Sequence, residues 1–257
     1  MSEIMRVNSA SFDRYEELLL RKNDLRKECF QLEQEYIRVF GEDILAVFHA
    51  QVECARKVKT IEFCHRAINQ GKDPDTAELQ DFVEKETKEL QDHFAKMTEE
   101  YEAAKDTGTV TEAELMEIRK IYRKLAKRMH PDIHPELADS EKILELWNQI
   151  SVAYTCNDLK ELKELEVLVV SALKEDGSEI AVEIPDLEEK IASLEKEIEK
   201  ITTTDPWRYQ FLLNDPEAVK EKKEALREEL KKYQEHSAQL DKMLEEILPD
   251  GTVIFWD

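Results

Sequence analysis

Glycine and proline are scarce in this chain, with 5 and 7 among 257 residues. A sheet protein of this length needs many tight turns, and those two residues supply them. Their shortage points away from sheets and toward long helices. Aromatic residues are only 7% of the chain, and the 41% that are hydrophobic fall in stripes. Stripes bury narrow seams between helices rather than one large core. No apolar run approaches the roughly 20 residues of a membrane span. Four cysteines, Cys29, Cys54, Cys64 and Cys156, show no Cys-x-x-Cys spacing, so neither a zinc site nor a disulfide framework is expected. A glycine-rich phosphate loop is missing, which leaves no ATP site to predict. Met1 to Phe12 has no basic stretch leading into an apolar one, so no signal peptide is read there. A soluble, cytoplasmic protein is expected.

Charge, by contrast, is abundant. Charged residues make up 37%, and the formal net charge is -22. Such a chain repels nucleic acid and anionic membranes, so neither is expected as a partner. One block reverses the sign. Arg119, Lys120, Arg123, Lys124, Lys127 and Arg128 contain no acid between them. A local reversal against the background suggests a docking surface for an acidic protein partner.

The expected fold class is all-α. Leu18, Leu25, Leu32 and Val39 recur every seven residues, Gly41 is read as a break, and a second helix is expected from Asp43 to Asn69 with Gly71 as its stop. Asp73-Pro74 reads as the opening of a helix to about Lys105. Thr111 with Glu114 forms a capping-box pattern, so a helix should start near Glu112. Its apolar stripe is Leu115, Ile118, Tyr122, Leu125 and Met129, and Pro131 stops it. Further helices are expected from Ser140 to Cys156 and from Asp158 to about Leu173. An irregular link or small hairpin follows to Ile184. Asp186 and Glu189 suggest another capping box. The seams Leu187–Ile201 and Val219–Ile247 suggest an antiparallel coiled-coil hairpin. Three regions result: 1–106, 107–174 and 175–257.

Chemistry concentrates at the end of the basic helix. His130-Pro131-Asp132 follows it directly, and Pro135 stiffens the same turn. Two helices should meet through Tyr122, Leu125, Met129, Trp147 and Ile150 and hold this turn toward solvent. A proline-stiffened turn loses less entropy on docking. Asp132 suits a partner arginine, and His130 offers a ring that titrates near physiological pH. His130, Asp132 and His134 do not read as a metal site, since no Cys or Glu supports them between two prolines. No metal or cofactor is expected.

The stretch from Glu117 to Asp132, with Trp147, Ile150, Ala153 and Tyr154 beyond it, resembles the second and third helices of a J-domain and their His-Pro-Asp loop. The match covers about a fifth of the chain. The resemblance implies a co-chaperone, not an enzyme, that binds a DnaK-type chaperone and stimulates its ATPase. It assigns chaperone contact to His130, Pro131 and Asp132 and to Arg119, Lys120, Arg123, Lys124, Lys127 and Arg128. The flanking helices would target a client or a site. The sequence departs from the family elsewhere. The Tyr-rich first helix is missing before Thr111, and a helix with Phe94, Met97 and Tyr101 is expected in its place. The basic fourth helix, the Gly/Phe-rich linker and the cysteine repeats are also missing. The competing reading is a structural coiled-coil scaffold with a J-like hairpin that only packs.

Overall fold

The computed structural model describes residues 9–106, 110–137, 140–176 and 186–248. Among them all regular structure is helical: α1 (Ser9–Asn69), α2 (Thr76–Asp106), α3 (Glu112–Met129), a 3-10 turn (Pro135–Leu137), α4 (Glu141–Thr155), α5 (Leu159–Asp176), α6 (Leu187–Thr203), α7 (Tyr209–Leu213) and α8 (Pro216–Ile247). The fold is all-α, as the composition requires. The expected break at 107–109, the link at 177–185 and the tail 251–257 lie outside the described residues.

By contact the chain forms two compact units. One comprises residues 1–33 and 108–210, the other 34–107 and 211–257. In the first unit, α3, α4 and α5 share a core of Ile118, Tyr122, Leu125, Met129, Trp147, Ile150, Tyr154, Leu162 and Leu165, and Leu20 of α1 enters it. Tyr122 stacks on Tyr154 with ring centroids 3.8 Å apart, while His130 meets Trp147 at 4.4 Å. Residue numbers thus rise on α3 as they fall on α4, so the two helices are antiparallel.

Local chemistry fixes the ends of these helices. Thr111 Oγ1 accepts from the Glu114 N–H, and Glu114 Oε2 accepts from the Thr111 N–H at 2.9 Å, completing the expected box. At the far end of α4, Asn157 adopts φ 59°. Its N–H donates to Tyr154 O and the Asp158 N–H donates to Ala153 O, the paired bonds of a Schellman stop. Asp158 then caps α5 by accepting from the Glu161 N–H.

Four expectations change. Gly41 does not break the first helix. A Cβ there would lie 2.5 Å from Tyr101 Cδ2, so the missing side chain admits the Tyr101 ring against an unbroken α1. The cap of α2 is Asp75, not Asp73, since Asp75 Oδ1 accepts from the N–H groups of Ala77 and Glu78. Asp186 sits at φ 57° with no side-chain cap bond, so the second capping box does not form. The seams of α6 and α8 each find their partner on α1, in place of the expected hairpin. Leu187, Ile191, Leu194 and Ile198 pack on Phe12, Tyr15, Leu18 and Leu19. In the second unit, Leu226 and Leu230 pack with Phe40 and Val47, and Leu240 and Leu244 pack with Cys54 and Ile61. A heptad seam specifies an apolar stripe without naming who fills it. In α1 the longest available stripe wins.

The helix expected beside α3 through Phe94, Met97 and Tyr101 is also placed differently. Phe94 of α2 packs beside Phe48 and His49, and Tyr101 beside Gly41, all within the second unit. The α3–α5 core instead takes its extra helix from α1, through Leu20.

Candidate functional site

The His130-Pro131-Asp132 turn is clamped on both flanks. His130 ends α3, and its own N–H still donates to Ala126 O. Its carbonyl accepts from the N–H groups of Ile133 and His134, at 2.9 and 2.8 Å. Its ring packs on Trp147, and Nδ1 accepts from the Asp132 N–H at 3.1 Å. Ile133 turns back inward and is buried against Tyr15, Leu18, Leu19 and Leu194. Between these anchors Pro131 is half-buried and Asp132 is exposed.

The expectation of a wholly solvent-facing turn is therefore corrected at His130, which is 7% exposed. Burial pushes its pKa down to about 4, with Lys22 and His134 acting in the same direction and Asp132 opposing. The ring is neutral at physiological pH, and its role in the turn is to hold it. Nδ1 accepts from the Asp132 N–H, and Nε2 lies 3.5 Å from the Asn23 side-chain amide nitrogen. Sequence alone could not show this, because the burial comes from Trp147 and from α1, far along the chain.

The six basic residues of α3 are all exposed, yet they are not equally free. Arg119 donates to Glu28 at 3.4 Å, Arg123 donates to Asp24 at 2.7 Å, and Lys127 pairs with Glu16 at 2.5 Å. These three lie one turn apart on α3 and face acids on α1. Lys124 turns the other way and donates to Glu166 of α5 at 2.8 Å. Among the described residues Lys120 and Arg128 have no carboxylate at ion-pair distance, and neither does the Asp132 carboxylate.

Compared with protein-family models, with curated proteins and with solved structures, the chain finds no match.

A polar knot that the sequence did not reveal lies beside the turn. Asp24 is buried, yet it accepts from both Arg123 and the Tyr154 hydroxyl. Burial, followed by the Asp24 carboxylate, pushes the Tyr154 phenol well above its ordinary range. Lys27 is also buried, with its Nζ 4.0 Å above the Tyr154 ring and no hydrogen-bond partner. Burial and the nearby Arg119 lower its pKa to about 8, and Asp24 partly offsets them. The cation is held by the ring face and the neighbouring carboxylate. The spacing of Asp24 and Glu28, four apart like Arg119 and Arg123, was the available sequence signal. It becomes readable only once two antiparallel helices are paired, since 24 with 123 and 28 with 119 share one sum.

Next to the knot a cleft of about 340 Å³ is lined by Lys22, Asn23 and Arg26 of α1, by the turn itself, and by Trp147, Ser151, Tyr154 and Thr155. Chemically the site can present an exposed carboxylate on a fixed turn, two cations without an ion-pair partner among the described residues, and an aromatic-floored cleft. Among the described residues no group of three or more His, Cys, Asp or Glu side chains could hold a metal ion, and no helix is long and apolar enough to cross a membrane.

Proposed function

We propose that the chain is a J-domain-type co-chaperone that works in the cytoplasm. It would bind a DnaK-type chaperone through Asp132 and the basic face of α3 and stimulate ATP hydrolysis by that partner. It supplies no catalytic group of its own. The flanking helices would bring the chaperone to a client or site. The observation that carries the reading is the clamped turn. His130 and Ile133 are driven inward, and Asp132 is left exposed at the end of the helix that carries Lys120 and Arg128; among the described residues none of the three has an ion-pair partner. A lone exposed carboxylate on a turn fixed at both ends is suited to a bidentate bond with a partner arginine. The cations along α3 favour an acidic partner surface and speed the encounter.

The test is the steady-state ATPase rate of a DnaK-type chaperone with the intact chain added. The reading expects stimulation that Asp132→Asn and His130→Gln each abolish, the first by removing the pairing charge and the second by loosening the turn. No stimulation of a chaperone that responds to another activator refutes it.

A scaffold with a non-functional hairpin is the second reading. It is favoured by the internal ion pairs of Arg119, Arg123, Lys124 and Lys127. It expects Asp132→Asn to change nothing, while Leu194→Ala, by opening the α1–α6 seam, alters assembly.

A further inference from the structure

α1 lies along the α3 face that the proposed function assigns to the chaperone, and it meets that face with the charge a chaperone surface would bring. Glu16, Asp24 and Glu28 pair with Lys127, Arg123 and Arg119 in antiparallel order. Leu20, between them, is buried in the α3–α5 core and anchors the strip. Asn23 and Lys22 extend the contact to the turn, where they line the cleft with His130 and Asp132.

We propose that the Glu16–Glu28 stretch of α1 is a built-in competitor, an acidic helix that occupies half of the basic docking face and must be displaced for full engagement of an acidic partner. This rests on the co-chaperone reading above.

The division of the face supports it. Lys120, Arg128 and Asp132 stay available for a first, weak encounter, whereas Arg119, Arg123 and Lys127 become available only when α1 releases them. The side chains of Arg123 and Lys127 remain about half exposed even while paired, at 53% and 57%. A partner can therefore begin to exchange with α1 before α1 has left. With the cation of each pair half exposed, solvent screens the attraction, so the cover is suited to displacement. The seat of the strip is firmer, because Asp24 is also held by Tyr154.

The test uses the full chain and a DnaK-type chaperone, with ATPase stimulation measured across a range of chain concentrations. Glu16→Gln combined with Glu28→Gln removes two acids of the strip and leaves Leu20 and Asp24 in place. The half-maximal concentration is expected to fall about three- to tenfold, the release of two weak pairs. Hydrogen exchange on the intact chain gives a second readout that needs no variant: amides of 16–28 should exchange faster when saturating chaperone is present. An unchanged half-maximal concentration, or unchanged exchange in 16–28, overturns the competitor while stimulation that depends on Asp132 leaves the co-chaperone reading standing. Absence of stimulation by both intact and variant chains overturns the reading itself, and the competitor with it.

Discussion

Replacing Asp24 by alanine would remove the buried carboxylate on which two other helices converge. It accepts from the Tyr154 hydroxyl of α4 and, at 2.7 Å, from Arg123 of α3, and it faces the buried ammonium of Lys27. A hydrogen bond to a charged acceptor contributes about 1.5–3 kcal/mol, and the Tyr154 bond is buried enough to count in full. The Arg123 side chain is half exposed, so its share is screened to about 1 kcal/mol at most. Lys27 would keep its desolvation and lose the favourable carboxylate of Asp24. Together these give a loss of about 2–4 kcal/mol. Asp24→Asn should lose less, about 1–2 kcal/mol, because the amide oxygen can still accept from Tyr154. Urea unfolding followed by far-UV circular dichroism measures both. A double-mutant cycle with Tyr154→Phe should return a coupling near 1 kcal/mol or more. A loss below about 0.5 kcal/mol for Asp24→Ala, or additive effects in the cycle, would refute the description of the knot.

His130 should make the fold acid-sensitive. Its pKa is about 4 in the folded chain against 6.5 for an unburied ring, so between those values the unfolded chain binds a proton that the folded one does not. Stability is therefore lost as pH falls from 6.5 toward 4, by up to about 1.4 kcal/mol per pH unit. His130→Gln should flatten that part of the profile, and an unchanged slope counts against the buried neutral ring. At Gly41, alanine must push aside the Tyr101 ring, since its Cβ would fall 2.5 Å from Cδ2. A loss of about 1–3 kcal/mol is expected despite the better helix propensity of alanine, and a stabilised Gly41→Ala protein would contradict the close approach.

Much of the first unit was legible because its boundaries are local. Thr111 and Glu114 sit three apart, Pro131 follows the last turn, and the apolar stripe of α3 has one dominant face. The structure adds Ile121 to that face as a buried residue. In the second unit the start of α8 is just as local, with Pro216 in its first turn and Asp215 Oδ1 accepting from the Glu217 and Ala218 N–H groups. What stayed hidden depends on distant chain. A glycine that terminates a helix and one that admits a ring look alike in sequence. Gly71, at φ 69°, does the first, and Gly41 does the second. The seams of α6 and α8 were visible, while their shared preference for α1 was not. Likewise the basic face of α3 was read as free because its partners, Glu16, Asp24 and Glu28, lie about a hundred residues earlier. The depth of His130 follows from Trp147 and Asn23 closing over it, an outcome of packing that the tripeptide does not encode.

In the proposed function, Asp132 and the α3 cations Lys120 and Arg128 bind the nucleotide-hydrolysing part of a DnaK-type chaperone. The most direct measurement of that binding is calorimetric titration of the ATP-bound chaperone with the intact chain, repeated with Asp132→Asn and with Lys120→Glu combined with Arg128→Glu. The account predicts saturable binding by the intact chain, weakened at least tenfold in both variants and weakened further by added salt. Equal affinity for all three chains, or no binding by any of them, would contradict it.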